Sequence, residues 1–300
     1  MALLLQPLRM ARFLKRGWLA KSAGAVLTAA TLASLGCGER VELGRVSEGS
    51  GFTRGGAPSA SPGDPTGLTW RADYETGDLA QWDREPQVAG DGIRIVSSPV
   101  RAGSFAVRFT LRPGDDPLGL DGERAELLRS DFEGEGTESW WAWSTYFPAD
   151  FVVEEGAKKW TIFMHWVSTT DRYAGCRPPV ALDVTNDGTE SLRLLVRGGV
   201  PTVSATGCTS PDSSAFLLGK LQRERWHDFL LHIVWSASAS QGLVELWLDG
   251  NQLVMPTRRA TLYSGQSVYV KQGLFRSDSS ATSSVIHDEL RHGSGPPGGL

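Results

Sequence analysis

The sequence predicts an all-β fold, an antiparallel two-sheet β-sandwich of the jelly-roll, concanavalin-like type. Short runs of alternating apolar and polar residues recur along residues 68–292, the period of half-buried strands. Turn residues punctuate them, drawn from 35 Gly and 16 Pro in 300 residues, and 11 Trp supply large core side chains. Helical periodicity is scarce beyond the N-terminus.

Residues 1–37 read as an address. They hold five cations, Arg9, Arg12, Lys15, Arg16 and Lys21, and no acid. An apolar run over residues 23–35 follows, the layout of an export signal and too short for a spanning helix. Met10 offers a tighter start than Met1. Ser34-Leu35-Gly36-Cys37 resembles a bacterial lipoprotein cleavage site, so Cys37 is the expected lipidation site, with plain secretion as the alternative. The expected location is the bacterial cell envelope, through a lipid anchor at Cys37, or the medium. Residues 38–67 are rich in Gly, Ser, Pro and charge and read as a flexible linker. With Cys37 lipidated, Cys176 and Cys208 remain, a pair that an oxidising compartment would bridge.

The formal charge of −4 hides an asymmetry. Of 30 Lys and Arg, five lie in the leader, leaving 25 against 34 Asp and Glu, a net of −9. That field repels polyanions at long range. It argues against nucleic acid and confines any anion site to a local basic groove.

Residues 68–73 open the folded domain as a strand, and Trp82 anchors the loop after it. Residues 93–96 form a short strand. Residues 104–111 alternate, Phe105, Val107 and Phe109 against Ala106 and Arg108. Residues 123–129 place Arg124, Glu126 and Leu128 on one face and Ala125, Leu127 and Arg129 on the other. Residues 139–147 set Trp141, Trp143 and Thr145 against Trp140, Ala142, Ser144 and Tyr146. Residues 160–167 put Trp160, Ile162, Met164 and Trp166 on the core side, with Thr161, Phe163, His165 and Val167 opposite. Residues 180–185 and 192–196 form a hairpin. Residues 226–235 and 243–248 follow, and Asp249-Gly250 makes a tight hairpin turn. Residues 267–276 and 284–290 are the last strands, and the tail from Gly293 is expected to be disordered.

The strand at 267–276 is unusual for a core strand. One face carries Tyr269, Lys271, Gly273 and Phe275, joining a phenol and a cation to a Gly that leaves room. This face suits a groove for an anionic polymer.

Four segments together resemble the jelly-roll polysaccharide lyases, which include heparin lyase I, glucuronan lyase and alginate lyases of this fold. Arg124-Ala125-Glu126-Leu127 resembles the Arg-x-Glu-Leu strand, and residues 141–148 resemble the aromatic strand. His165 falls where that family has Gln-x-His, and residues 269–276 are similar to its Tyr-x-Lys-x-Gly-x-Tyr strand. The resemblance implies β-elimination on a uronate polymer. Arg124 would neutralise the carboxylate, because guanidinium matches it bidentately. His165 would be the base that removes the C5 proton, and Lys271 would position substrate. Glu126, Arg276 and Trp140 join the expected substrate-binding set.

Two positions depart from the pattern. Phe163 stands where a polar amide is expected, and Phe275 stands where the family's proton-delivering Tyr belongs. Tyr269 and Tyr146 are the substitute candidates for the acid, with Tyr173 in a neighbouring loop. The residues also admit plainer roles: Arg124 with Glu126 as an ordinary ion pair, His165 bonded to a carbonyl, Lys271 as a solvated charge. The alternative function is a non-catalytic carbohydrate-binding protein of the same fold. A glycoside hydrolase needs two carboxylates across the bond, and Glu133/Glu135 and Asp288/Glu289 lie in loops or at the wrong parity. No cofactor is required. A structural Ca2+ is admitted, with Asp73, Asp249 and Asp288 as candidates, but no spacing singles out a metal site. The expected state is a monomer.

Overall fold

The computed structural model describes Glu42–Leu43 and residues 67–296, except residues 85, 121, 171–174 and 205–206. Its strands are β1 (Glu42–Leu43), β2 (Leu68–Ala72), β3 (Ile93–Val96), β4 (Ala106–Leu111), β5 (Glu123–Glu133) and β6 (Glu138–Tyr146). Next come β7 (Thr161–Ser168), β8 (Val180–Val184), β9 (Ser191–Gly198), β10 (Thr202–Ser204), β11 (Gly207–Thr209) and β12 (Asp212–Lys220). The last are β13 (Trp226–Val234), β14 (Leu243–Leu248), β15 (Asn251–Arg258), β16 (Val268–Arg276) and β17 (Ser283–Gly293). Among the described residues there is no helix.

The strands form two main sheets. One runs β1-β12-β9-β8-β7-β16-β5, and the other β15-β14-β13-β6-β17-β4-β3 with β2 on β17. All pairings between these strands are antiparallel except β1 with β12. This is the expected jelly-roll sandwich.

The alternation in the sequence places the core between the sheets. Trp141 and Trp143 of β6 meet Trp166 of β7, at ring centroid distances of 5.4 and 6.2 Å. Trp143 also stacks on Phe229 of β13 at 5.0 Å. Each such ring hides roughly 150–250 Å², so these contacts dominate the cohesion of the sandwich. Asp249 and Gly250 have φ of 52° and 76°, the left-handed pair that joins β14 to β15. Cys176 and Cys208 form a disulfide with Cα atoms 4.9 Å apart, tying the loop after β7 to β11.

Four local features differ from the expected pattern. β7 carries an irregularity in its pairing with β8, between Ile162 and Met164. Phe163 therefore joins Met164 and Trp166 in the core, while Ile162 and Trp160 pack on the opposite face with Phe275. A bulge flips every side chain before it, which corrects the simple alternation. β12 was not signalled by the sequence, although it pairs with β9 along eight positions. Glu42–Leu43, inside the expected linker, pairs with β12, and β17 runs through Gly293. Residues 1–41, with Cys37, and residues 297–300 lie outside the described residues.

Candidate active site

The site lies on the face of the seven-stranded sheet that points away from the core, where β5, β16 and β7 lie side by side. β16 pairs with β5 so that Phe275 stands opposite Arg124, Gly273 opposite Glu126 and Lys271 opposite Leu128. On its other edge, Lys271 stands opposite His165 of β7. Alternation thus brings Arg124, Glu126, Lys271, His165, Tyr269 and Phe275 to one face.

Gly273 lets these strands meet. Its φ is +148°, and a Cβ there would come 2.1 Å from the Ala125 carbonyl oxygen and 2.9 Å from Glu126 Cα. The residue is needed for close approach to β5 rather than for ligand room. With β5 held this close to β16, the Glu126 carboxylate reaches across the strand to His165. His287 of β17 lies beneath, with Nε2 3.3 Å from the Gly273 carbonyl oxygen. Burial depresses the His287 pKa to about 3, so this imidazole is neutral and donates to that carbonyl.

Glu126 is the hub. His165 Nε2 lies 2.5 Å from Glu126 Oε1, and Lys271 Nζ and Arg124 Nη1 lie 3.3 and 3.8 Å from Oε2. Burial opposes ionisation of Glu126, but Lys271, His165 and Arg124 outweigh it and hold the pKa at about 2. The His165 pKa is lowered, chiefly by burial and further by Lys271 and Arg124, against the raising effect of Glu126. Lys271 is lowered by burial too, with Glu126 opposing. The cost of desolvation therefore falls on the two bases, and at neutral pH Glu126 is ionised, Lys271 keeps its proton between two acceptors, and His165 is neutral.

A neutral His165 that donates Nε2–H to Glu126 must carry its lone pair on Nδ1. That atom is buried and accepts no hydrogen bond among the described residues. An orphaned buried acceptor costs about 1–3 kcal/mol, and in a site it is a base awaiting a proton. Arg124 and Lys271 against Glu126 leave one net positive charge on a chain of negative overall charge.

Tyr269 stands at the edge of the cluster. Arg84 lies over its ring, with Cζ 4.8 Å from the centroid. Burial raises the phenol pKa, so Tyr269 remains protonated at neutral pH. Phe275 lies under Arg124, whose Cζ is 4.2 Å from the ring centroid, and its ring centroid is 5.8 Å from that of His165. Trp160 meets it edge-on at 4.4 Å.

A family model for polysaccharide lyases matches residues 74–291. The chain belongs to the polysaccharide lyases. Among solved structures, the fold is similar to the endo-β-1,4-glucuronan lyase of the fungus Trichoderma reesei, with a TM-score of 0.61 and 17% identity over 78% of this chain and 100% of that one. It is also similar to the catalytic domain of a glycoside hydrolase family 131 protein from Coprinopsis cinerea, with a TM-score of 0.50 and 12% identity over 77% of this chain and 96% of that one. An alginate lyase from Pseudomonas aeruginosa aligns with a TM-score of 0.45 and 16% identity, over 69% and 87% of the two chains. No curated protein matches the chain.

Three expected site residues of this lyase lie elsewhere. Tyr146 is on β6 of the other sheet, on its outer face, with its ring 5.5 Å from that of Trp226. Trp140 lies on the same outer face, stacked on His232 at 4.1 Å and on Trp247 at 5.8 Å. Arg276 points to the opposite side of β16 from Phe275 and is 2% exposed, its Nε 2.7 Å from Glu123 Oε2. Neither aromatic nor Arg276 can reach a ligand at Glu126. Tyr173 lies outside the described residues. The Ca2+ candidates are engaged by the protein itself: Asp73 by Arg71 and Gln81, Asp249 by Arg225 and the Asp228 amide, Asp288 by the amides of Arg101, Ala102 and Glu289. Among the described residues no group of three or more His, Cys, Asp or Glu is placed to hold a metal ion.

Sequence reading missed two neighbours of the site, Arg84 and Gln87. Both lie in the loop between β2 and β3, which has no periodicity to read. Lys271 Nζ donates to Gln87 Oε1 at 2.6 Å.

Proposed function

We propose that the chain is an exported polysaccharide lyase that cleaves a uronate-containing, anionic polysaccharide by β-elimination. One observation carries the proposal: a neutral imidazole with an unengaged, buried Nδ1 sits beside a guanidinium and an ammonium on one sheet face. Arg124 receives the uronate carboxylate and stabilises the enolate-like intermediate. His165 Nδ1 takes the C5 proton, the C4–O4 bond breaks as C4=C5 forms, and Tyr269 protonates the departing O4. The glucuronan lyase of like fold supports a glucuronate polymer as the first substrate to try. Export through the leader, with a lipid on Cys37, puts the enzyme where such polymers are met, and it acts as a monomer.

Phe275 favours a second reading, in which the groove binds the polymer without cutting it, since phenylalanine has no proton to give. Incubation with polyglucuronate and alginate, followed by ultraviolet absorbance of the unsaturated product, separates the two. The lyase reading expects product, loss of product in His165→Ala with binding retained, and an acid limb of kcat/KM below pH ~6.5, because burial lowers His165 from the ordinary value. Binding with no product from either polymer would leave the binding-only reading.

A further inference from the structure

Carboxylate recognition by Arg124 alone is incomplete. A carboxylate offers about four lone-pair sites on two oxygens, and one guanidinium edge fills one side of it. On the site face β7 contributes Ile162 and His165 and no amide, because Phe163 turns into the core.

We propose that Gln87 completes the recognition, its Nε2 donating to the uronate carboxylate that Arg124 holds; this rests on the uronate-lyase reading above. Gln87 is brought to the site by a two-bond bridge to β5, its N donating to Glu126 O and Glu126 N donating to Gln87 O, both at 2.9 Å. Residues directly opposite in an antiparallel pair share a face, so Gln87 and Glu126 project to the same side. The contact with Lys271 agrees, since Lys271 Nζ lies 2.6 Å from Gln87 Oε1 and 3.3 Å from Glu126 Oε2.

That contact also orients the amide. An ammonium has no acceptor, so it must meet the oxygen, and the NH2 end is left for another partner. Among the described residues nothing accepts a hydrogen bond from Gln87 Nε2. Glu126 is taken by His165, Lys271 and Arg124. A carboxylate arriving in the site would find a cation in Arg124 and a pre-oriented neutral donor in Gln87. The neutral donor adds directional selection for a planar carboxylate without strengthening the attraction for every anion.

Binding by calorimetry and elimination by absorbance would be measured on polyglucuronate and on the same polymer with its carboxyls reduced to alcohols. Gln87→Ala is expected to weaken polyglucuronate binding about 10- to 100-fold and to leave binding of the reduced polymer unchanged. Gln87→Glu keeps an acceptor for Lys271, so the fold is retained, but it places a carboxylate against the substrate and abolishes polyglucuronate binding. Gln87→Ala that binds polyglucuronate like the parent, or that loses the same factor on both polymers, overturns the assignment while the parent's activity keeps the lyase reading intact. A parent chain that neither binds nor cleaves polyglucuronate or alginate overturns both.

Discussion

Replacing Glu126 by Gln keeps the shape of the hub and removes its charge. In the folded chain the carboxyl is held at about 2 against an ordinary 4.5, which corresponds to about 3 kcal/mol of stability. Loss of one member of a buried ion pair typically costs 3–5 kcal/mol, an independent measure of the same interaction, because the partners stay buried without compensation. The sign is fixed by the direction of the shift. A folded pKa below the unfolded one stabilises fully above pH ~4.5, and the stabilisation fades as pH falls through 2, below which both states are protonated. Urea denaturation followed by tryptophan fluorescence should therefore show Glu126→Gln destabilised by about 3 kcal/mol at pH 7 and by about half that near pH 3. Activity should fall as well, since Gln presents a donor to Lys271 or to His165, and the Nε2–H tautomer is no longer enforced. The His165 pKa loses the raising effect of Glu126, so any residual activity has its acid limb at lower pH than in the parent. A stability difference that does not change between pH 7 and pH 3 would refute the ionised, triply held carboxylate.

Four further outcomes are expected. Tyr269→Phe should lower kcat by about 10²–10⁴ with little change in KM, whereas Tyr146→Phe, on the far sheet, should leave both unchanged; adding Phe275→Tyr to Tyr269→Phe should recover part of the loss, because that ring lies against Arg124 and His165. Replacing Cys176 and Cys208 by Ser should cost about 3–4 kcal/mol in denaturant unfolding, from a closed loop with a sequence separation of 32.

What could be read in the sequence was local. Alternation put Arg124 with Glu126 on one face of their strand, Tyr269 with Lys271 on one face of theirs and Trp141 with Trp143 on one face of a third, since side-chain direction follows from period two alone. Asp249-Gly250 announced its hairpin for a similar reason, the two residues tolerating positive φ. Sheet membership is not local. Tyr146 and Trp140 do share one face, and it points away from the core, but on the other sheet, because nothing within β6 says that it pairs with β13 and β17. Phe163 was misread because a bulge leaves no mark in composition: Ile-Phe-Met is apolar at every position and fits either phase. Gln87 was missed for the opposite reason, its position being set by a single bridge to a strand 39 residues away.

Gly273 has a wider consequence. The cluster of Arg124, Glu126, Lys271 and His165 is assembled across a strand rather than along one, and Gly273 is what lets β5 close on β16 at its centre. Arg-x-Glu on β5, Lys-x-Gly on β16 and the His of β7 thus behave as one composite signature, whose glycine must be present for the acid and the imidazole to touch. In related chains, loss of that glycine should report a dismantled Glu–His contact even where every ionisable residue remains, which makes the least reactive position of the signature the most economical one to inspect when sorting cleaving members from silent ones.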